Sequence, residues 1–210
     1  MPLIKIEAVA PDVRLGLWKI EETIELFFAA NPHLQDLCSR LSDYQSASRR
    51  LEILATYSLL FAMTNNSRLS ITHYPNGKPH VEGYHVSISH TRGYAVLLIS
   101  TNKEVAVDIE YYSNRVSRIV HKFIRQDEIS SSVDIQLINW SAKETVYKLF
   151  SVEALQYFEM RLCPFVPREQ GLIKVENLRT CTMIPVHYHL TPSFVLTLSL
   201  IHISEPTRPY

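Results

Sequence analysis

Glycine is scarce in this chain, with five in 210 residues. Neither GxGxxG nor GxxxxGK[ST] occurs. That argues against a dinucleotide fingerprint or a P-loop, because both need glycines where the backbone approaches phosphate. Cysteine is scarcer: Cys38, Cys163 and Cys181 are an odd number without CxxC spacing. Neither a disulfide framework nor a structural zinc site is expected. An excess of one charge is missing too. There are 21 basic and 21 acidic residues, and the balance holds locally, with 10 of each in residues 1–104 and 11 of each in 105–210. A dedicated nucleic-acid binder usually carries a basic surplus, so no nucleic-acid partner is expected. No apolar run approaches the roughly 20 residues that cross a bilayer, so no membrane partner is expected either. The opening MPLIKIEAVAPDV shows no basic segment followed by an apolar one. A signal peptide is therefore not expected, and the expected location is the cytoplasm.

What is present is a core. The chain is 46% hydrophobic, ample for globular packing, and its length allows one large domain or two small ones. Ile4 and Ile6 alternate with Lys5 and Glu7, which predicts a strand over Leu3–Val9. Leu17, Ile20, Ile24, Phe27 and Phe28 predict a helix over Leu15–Ala30, stopped by Asn31-Pro32. A second helix is predicted from about Tyr44 to Asn65. Leu69–His73 is a candidate strand, and Pro75–Pro79 a turn. Val86–His90 and Tyr94–Ser100 predict a hairpin whose second strand is apolar enough to be buried on both faces. In the second half, Val105–Glu110 predicts a strand, Ser117–Ile124 and Asp134–Ser151 helices, and Thr180–Leu190 with Ser193–Ile201 another hairpin. The stretch around Pro164 and Pro167 is read as loose. The last residues, SEPTRPY, have no periodicity and are expected to be a disordered tail.

The two hairpins resemble each other at an offset of 100 residues. Val86 meets Val186, Thr91 meets Thr191, Tyr94 meets Phe194 and Leu98 meets Leu198. LIKIEA and VAVDIE stand at a similar separation. An internal duplication of a unit of domain size would produce this pattern, as would two apolar hairpins alike by chance.

Three segments carry candidate chemistry. In Val105–Glu110, strand alternation sends Val105, Val107 and Ile109 one way and Ala106, Asp108 and Glu110 the other. Two carboxylates side by side favour a bound cation or a basic partner, and oxygen ligands suit magnesium. A solvent-exposed strand edge would read the same way. In Trp140–Lys148, helical spacing puts Trp140, Glu144 and Lys148 on one stripe and Ala142, Val146, Leu149 and Phe150 on an apolar one. The glutamate and lysine could face a site or form an ordinary surface pair. In Gly77–Ala95, Lys78 sits at a turn where its ammonium could meet a phosphate, and Ser87 and Ser89 share a strand face that ends at His90.

Taken in order, these segments resemble the 4′-phosphopantetheinyl transferase superfamily, in its Sfp-type, two-lobed form. The resemblance rests on GKP at Gly77, SISHT at Ser87, VAVDIE at Val105 and WSAKETVYK at Trp140, and extends to about Ile203. It implies an α+β fold, a pseudo-twofold pair of similar lobes over 1–103 and 104–203, with 204–210 as a tail, and a monomer. It implies transfer of the 4′-phosphopantetheine arm of coenzyme A to a serine of an apo acyl or peptidyl carrier protein, with release of adenosine 3′,5′-bisphosphate. By motif, Asp108, Glu110 and Glu144 would hold Mg²⁺. Lys143 and Lys148 would lie near the pyrophosphate, and Lys78, Ser89 and His90 would contact the nucleotide's phosphates. Arg49 and Arg50 match a basic position that in relatives grips the 3′-phosphate. Glu128, in KFIRQDEIS, occupies the position of a candidate general base. Glu144 and Lys148 complete the expected catalytic set. There are departures: Ala106 replaces a usual glycine and narrows the approach to the metal site, Thr91 replaces a serine, and Thr145 replaces Ala or Ser. None removes a ligand. Competing expectations are a non-catalytic relative that binds CoA or carrier protein, and a different Mg²⁺-dependent phosphate enzyme.

Overall fold

A computed structural model describes residues 2–202. The expected tail at 204–210, and the end of the expected second lobe at 203, lie outside the described residues. In chain order the elements are β1 (Leu3–Ala10), β2 (Val13–Lys19), α1 (Ile24–Ala30), α2 (Cys38–Ser42), α3 (Ala47–Thr64), β3 (Thr72–His73), β4 (Pro79–His80), β5 (His85–Thr91), β6 (Tyr94–Ser100) and β7 (Lys103–Tyr111). They continue with α4 (Val133–Leu149), β8 (Met160–Leu162), β9 (Gln170–Asn177), β10 (Thr182–Leu190) and β11 (Phe194–His202). A four-stranded antiparallel sheet has the order β1-β2-β6-β5, and a five-stranded one has β7-β11-β10-β9-β8. This is an α+β architecture.

Strand alternation sorts the apolar residues into three cores. On β6, Ala95, Leu97 and Ile99 face α3, with Leu54, Leu59 and Met63 among the helix residues in that core. Val96 and Leu98 turn the other way and meet Val105, Val107 and Ile109 of β7 and Leu196 and Leu198 of β11. Ala106 and Val195 face α4, with Leu137, Ile138, Ala142 and Val146. The layers therefore run α3, first sheet, second sheet, α4. The near-continuous apolar run of β6 follows from its place between two layers.

Residues 15–19 form a strand, not the start of a helix. Leu15 and Leu17 point into the core between the sheets, and Trp18 points toward α3. That is a period of two, hidden in the sequence by Leu17 and Ile20 falling at helical spacing. Gly16 lets α3 lie close: a Cβ there would fall 2.6 Å from Met63 Sδ. The helix itself is shortened to Ile24–Ala30, capped by the Thr23 hydroxyl. Consequently β2, and not β1, lies beside β6 as β7 lies beside β11. The expected correspondence of LIKIEA with VAVDIE does not match this pairing. The expected strand at 69–73 shrinks to Thr72–His73, and the expected helix at 117–124 is two 3₁₀ turns, Asn114–Arg118 and Val120–Lys122. The stretch read as loose contains β8 and β9, where Ile173 and Val175 are buried and Leu172 and Lys174 exposed.

The edge strands β5 and β7 run side by side in the same direction where the two sheets meet. The Ser87 hydroxyl accepts from the Val107 N–H at 3.0 Å, and the Thr91 hydroxyl accepts from the Tyr111 N–H at 3.0 Å. Hydroxyls of Ser87 and Thr91, four residues apart on one face of β5, thus satisfy amides of a strand edge that would otherwise lack partners. Among the described residues, no helix is long and apolar enough to cross a membrane.

Candidate active site

The seam between β5 and β7 positions the first carboxylate. Asp108 is 3% exposed and takes a donor from each neighbouring element. Ser89 Oγ of β5 donates to Oδ1 at 2.9 Å, Ser141 Oγ of α4 donates to Oδ2 at 2.9 Å, and Lys148 Nζ donates to Oδ1 at 2.8 Å. Lys148 also donates to the Val107 carbonyl at 3.1 Å. Behind Asp108 lies a buried hydroxyl network. Thr197, its cross-strand neighbour on β11, bonds Thr145 Oγ1 at 2.7 Å and donates to the Ser141 carbonyl at 2.8 Å. A buried carboxylate without such partners would be costly.

The stripe expected on α4 is present. Trp140 Nε1 donates to Glu110 Oε1 at 2.8 Å, Lys148 reaches Asp108, and Glu144 accepts a short hydrogen bond from the Tyr157 hydroxyl. Trp140 packs between Phe123 and Tyr157, with ring centroids 4.9 and 5.2 Å away. These acids feel one another. Burial, reinforced by the charges of Asp108 and Glu144, pushes the Glu110 carboxyl up to about 7. Burial also raises Glu144, with Asp108 adding to it and the Tyr157 bond opposing. Tyr157 is raised by burial and by the adjacent Glu144 carboxylate.

Among the described residues, no three His, Cys, Asp or Glu side chains are gathered closely enough to hold a metal ion as they stand. Asp108 is turned to Lys148, Glu110 to Trp140, and Glu144 to Tyr157. The donor set still suits a hard cation. All three groups are carboxylates, and Glu110 and Glu144 each engage one oxygen and keep the other without a protein donor among the described residues. The raised Glu110 carboxyl reflects its burial beside the Asp108 and Glu144 charges, and a cation between such groups would relieve their repulsion.

Between α3 and β5 lies a pocket of about 170 Å³ whose lining includes Tyr44, Arg49, Glu52, Ile53, Ile88 and His90. Arg49 Nη1 lies 3.2 Å from Glu52 Oε2 and makes a short contact with His90 Nε2. His90 Nδ1 is 3.6 Å from the same glutamate oxygen. Burial lowers the His90 pKa, Glu52 opposes this, and the charges of Arg49 and Lys148 lower it further. Lys148, which bonds Asp108, is thus also close enough for its charge to be felt at His90.

Four expected site residues stand elsewhere. Lys143 is 0% exposed; its ammonium donates to the Phe123 carbonyl at 2.6 Å and to Glu128 Oε2 at 2.7 Å. Glu128 also accepts from the backbone N–H groups of Arg125 (2.7 Å) and Leu162 (2.7 Å) and from Asn139 Nδ2 (3.2 Å). Its carboxylate is saturated by four donors and paired with Lys143, so it offers no oxygen to an incoming hydroxyl. Successive helix residues are about 100° apart. With Glu144 facing the acids, Lys143 is directed to the buried side. The same geometry separates Arg49 from Arg50, which turns back to the Gln45 carbonyl at 3.3 Å. Lys78 pairs with Glu104 at 2.7 Å, beside His85, and not with the groups around His90. Ala106 does not narrow the site: its methyl is buried in the core against α4.

Sequence reasoning missed Glu52, Ser141, Tyr157 and Thr197. Ser141 stood inside the quoted helix motif, and Glu52 lies three residues after Arg49. Nothing local marked Tyr157 or Thr197. Residues 104–199 match the family model described as the 4′-phosphopantetheinyl transferase superfamily. No curated protein matches the chain.

Proposed function

We propose that the protein, whose residues 104–199 match the model of the 4′-phosphopantetheinyl transferase superfamily, transfers the 4′-phosphopantetheine arm of coenzyme A to a serine of an apo carrier protein, releasing adenosine 3′,5′-bisphosphate. One observation carries this reading. Asp108 of β7 is bonded by Lys148 of α4 and by Ser89 of β5, and Glu110 and Glu144 lie near enough for their charges to be felt along with that of Asp108. The second half thus supplies the acids, and the first half supplies a basic pocket next to them.

Asp108, Glu110 and Glu144 would hold a magnesium ion, which supplies positive charge to the pyrophosphate as the bond to the leaving phosphate breaks. Lys148 adds a second positive charge between the carboxylates and the pocket. Arg49, beside His90, presents a guanidinium suited to a phosphate. Ser89, Ser141 and Thr197 keep Asp108 in its orientation. Glu128 and Lys143 are read as a positioning pair that ties residues 123–128 and β8 to α4. We read residues 1–103 and 104–203 as two similar lobes of one cytoplasmic monomer sharing this site.

The test is incubation with CoA, Mg²⁺ and a panel of apo carrier proteins, followed by intact-mass measurement. A mass gain equal to the pantetheine arm is expected on at least one carrier. No gain on any of them sinks the proposal. CoA-independent release of phosphate would point to the other expectation, a different Mg²⁺-dependent phosphate enzyme such as a phosphohydrolase.

A further inference from the structure

Away from the seam, the first half holds a second cavity. It measures about 850 Å³, several times the pocket beside His90. The start of β1, the end of β2 with the turn after it, α1 and the last turns of α3 all contribute walls. Trp18, Phe27 and Phe61 form its floor, and each is buried. Trp18 stacks on Phe27 with ring centroids 5.8 Å apart. Ala29 and Ala30 at the end of α1 and Ala62 near the end of α3 are exposed on its walls, and side chains this small leave the space open. Leu26, also on the wall, is 55% exposed, so an apolar body entering the cavity covers it as well.

The cavity also has a sign. Glu21 and Glu22 line it, and no Lys or Arg does. Glu21 is paired with Lys19. Glu22 is half-buried and, among the described residues, has no cation at ion-pair distance. Its Oε2 accepts from the Trp18 indole N–H at 3.3 Å and from the Glu21 backbone N–H at 3.2 Å, while Oε1 has no protein donor among the described residues. The indole of the aromatic floor thus orients one carboxylate and leaves it an oxygen to spare. An apolar cavity of roughly 300–1,000 Å³ with a few placed polar groups suits an organic molecule of drug size. An anion would meet two carboxylates and no counter-charge. A neutral apolar molecule would shield Glu22 from water without pairing it. An apolar body that ends in an ammonium uses the floor and the carboxylate together.

We propose that this cavity binds an organic cation, an aryl or alkyl amine whose apolar body lies on Trp18, Phe27 and Phe61 and whose ammonium pairs with Glu22. The site is separate from the one at the seam. Ser58, on the cavity wall, is nine residues along α3 from Arg49, about 14 Å at the helical rise. Binding there does not depend on transferase activity.

The probes are three molecules with one apolar body: 4-phenylbutylammonium, 4-phenylbutan-1-ol and 4-phenylbutanoate. Trp18 and Trp140 are the two tryptophans of the chain, so their indole N–H signals in a proton–nitrogen correlation spectrum report on the cavity and on the seam separately. Either single Trp→Phe variant assigns the pair. The ammonium should shift the Trp18 signal saturably and leave Trp140 in place. It should bind about tenfold tighter than the alcohol, and the carboxylate should not bind. Glu22→Gln keeps an oxygen for the Trp18 indole and should bring the ammonium down to the affinity of the alcohol. Ala62→Phe, at an exposed helix position, fills the cavity and should abolish binding of both. Saturating CoA should leave the Kd of the ammonium unchanged. Equal affinity of ammonium and alcohol for the wild type overturns the site, as does the absence of saturable binding. So does a response at Trp140 in place of Trp18, or a Kd that climbs with CoA, since either puts the probe at the seam. Unchanged ammonium binding to a folded Glu22→Gln also overturns it. Should that variant not fold by circular dichroism, the wild-type comparison of the three probes and Ala62→Phe decide the matter.

Discussion

Asp108 has three side-chain donors on its two oxygens and a hydroxyl network behind it. Asp108→Ala should therefore do two separable things. Transfer should fall to background, while the thermal midpoint drops by the equivalent of about 2–4 kcal/mol, because Lys148, Ser89 and Ser141 lose their acceptor. Circular dichroism against activity separates the two effects. Glu110 makes a pH-dependent prediction for metal-free protein. Its folded carboxyl is raised to about 7, above its unfolded value, so the native state binds the proton more tightly. The stability this gives is fully present below the unfolded carboxylate pKa and is lost as pH rises through about 7. In EDTA, Glu110→Gln should be more stable than wild type at pH 8, by up to about 3 kcal/mol, and indistinguishable from it at pH 4. Urea titration at both pH values checks this, and added Mg²⁺ should erase the advantage. These acids were legible in the sequence because spacings of two on a strand and four on a helix encode a shared face. The partners of Asp108 were less so: Thr197 is 89 residues away and is brought opposite it only by sheet register.

At the level of elements, α4 has two working sides. The outer stripe bears Trp140, Glu144 and Lys148, and the buried side carries Lys143 to Glu128. Family resemblance gave Glu144, Lys148, Lys143 and Glu128 alike to the reaction. Burial separates them, and no local pattern could show that β8 closes over Glu128. Lys143→Met leaves Glu128 buried without its counter-charge and should cost about 3–5 kcal/mol. Lys143→Met/Glu128→Gln should be less destabilised than the single variant by chemical denaturation. Glu128→Gln distinguishes positioning from proton transfer. A base would lose kcat with stability and the pH profile of other groups intact. A positioning residue loses stability together with kcat, and cooling restores activity. The helices α3 and α4 and both hairpins were also legible, as long periodic runs. The strand β2 was not, because its leucines and tryptophan fit either period until α3 is seen against Gly16.

The whole molecule is held by a core between the sheets that neither half can complete alone. Val13, Leu15, Leu17, Val96 and Leu98 meet Val105, Val107, Ile109, Phe194, Leu196 and Leu198 there. Separating the halves would expose a contiguous apolar face on each, a surface that drives aggregation. Residues 2–102 and 103–202 expressed separately should each be insoluble or associate. Co-expression should restore a soluble pair, as read by size-exclusion chromatography. Soluble, well-dispersed monomeric halves would contradict this account of the core.

The seam has a further consequence, for hydrogen exchange. β5 and β7 are joined through side-chain hydroxyls at Val107 and Tyr111 in place of a continuous backbone ladder. Those two amides report directly on whether the sheets are closed against each other. A ligand spanning Arg49 and Lys148 binds only the closed arrangement, so its binding energy is linked to closure. Saturating CoA should slow exchange at Val107 and Tyr111 far more than at amides inside either sheet, which makes this pair of protons a local gauge of occupancy.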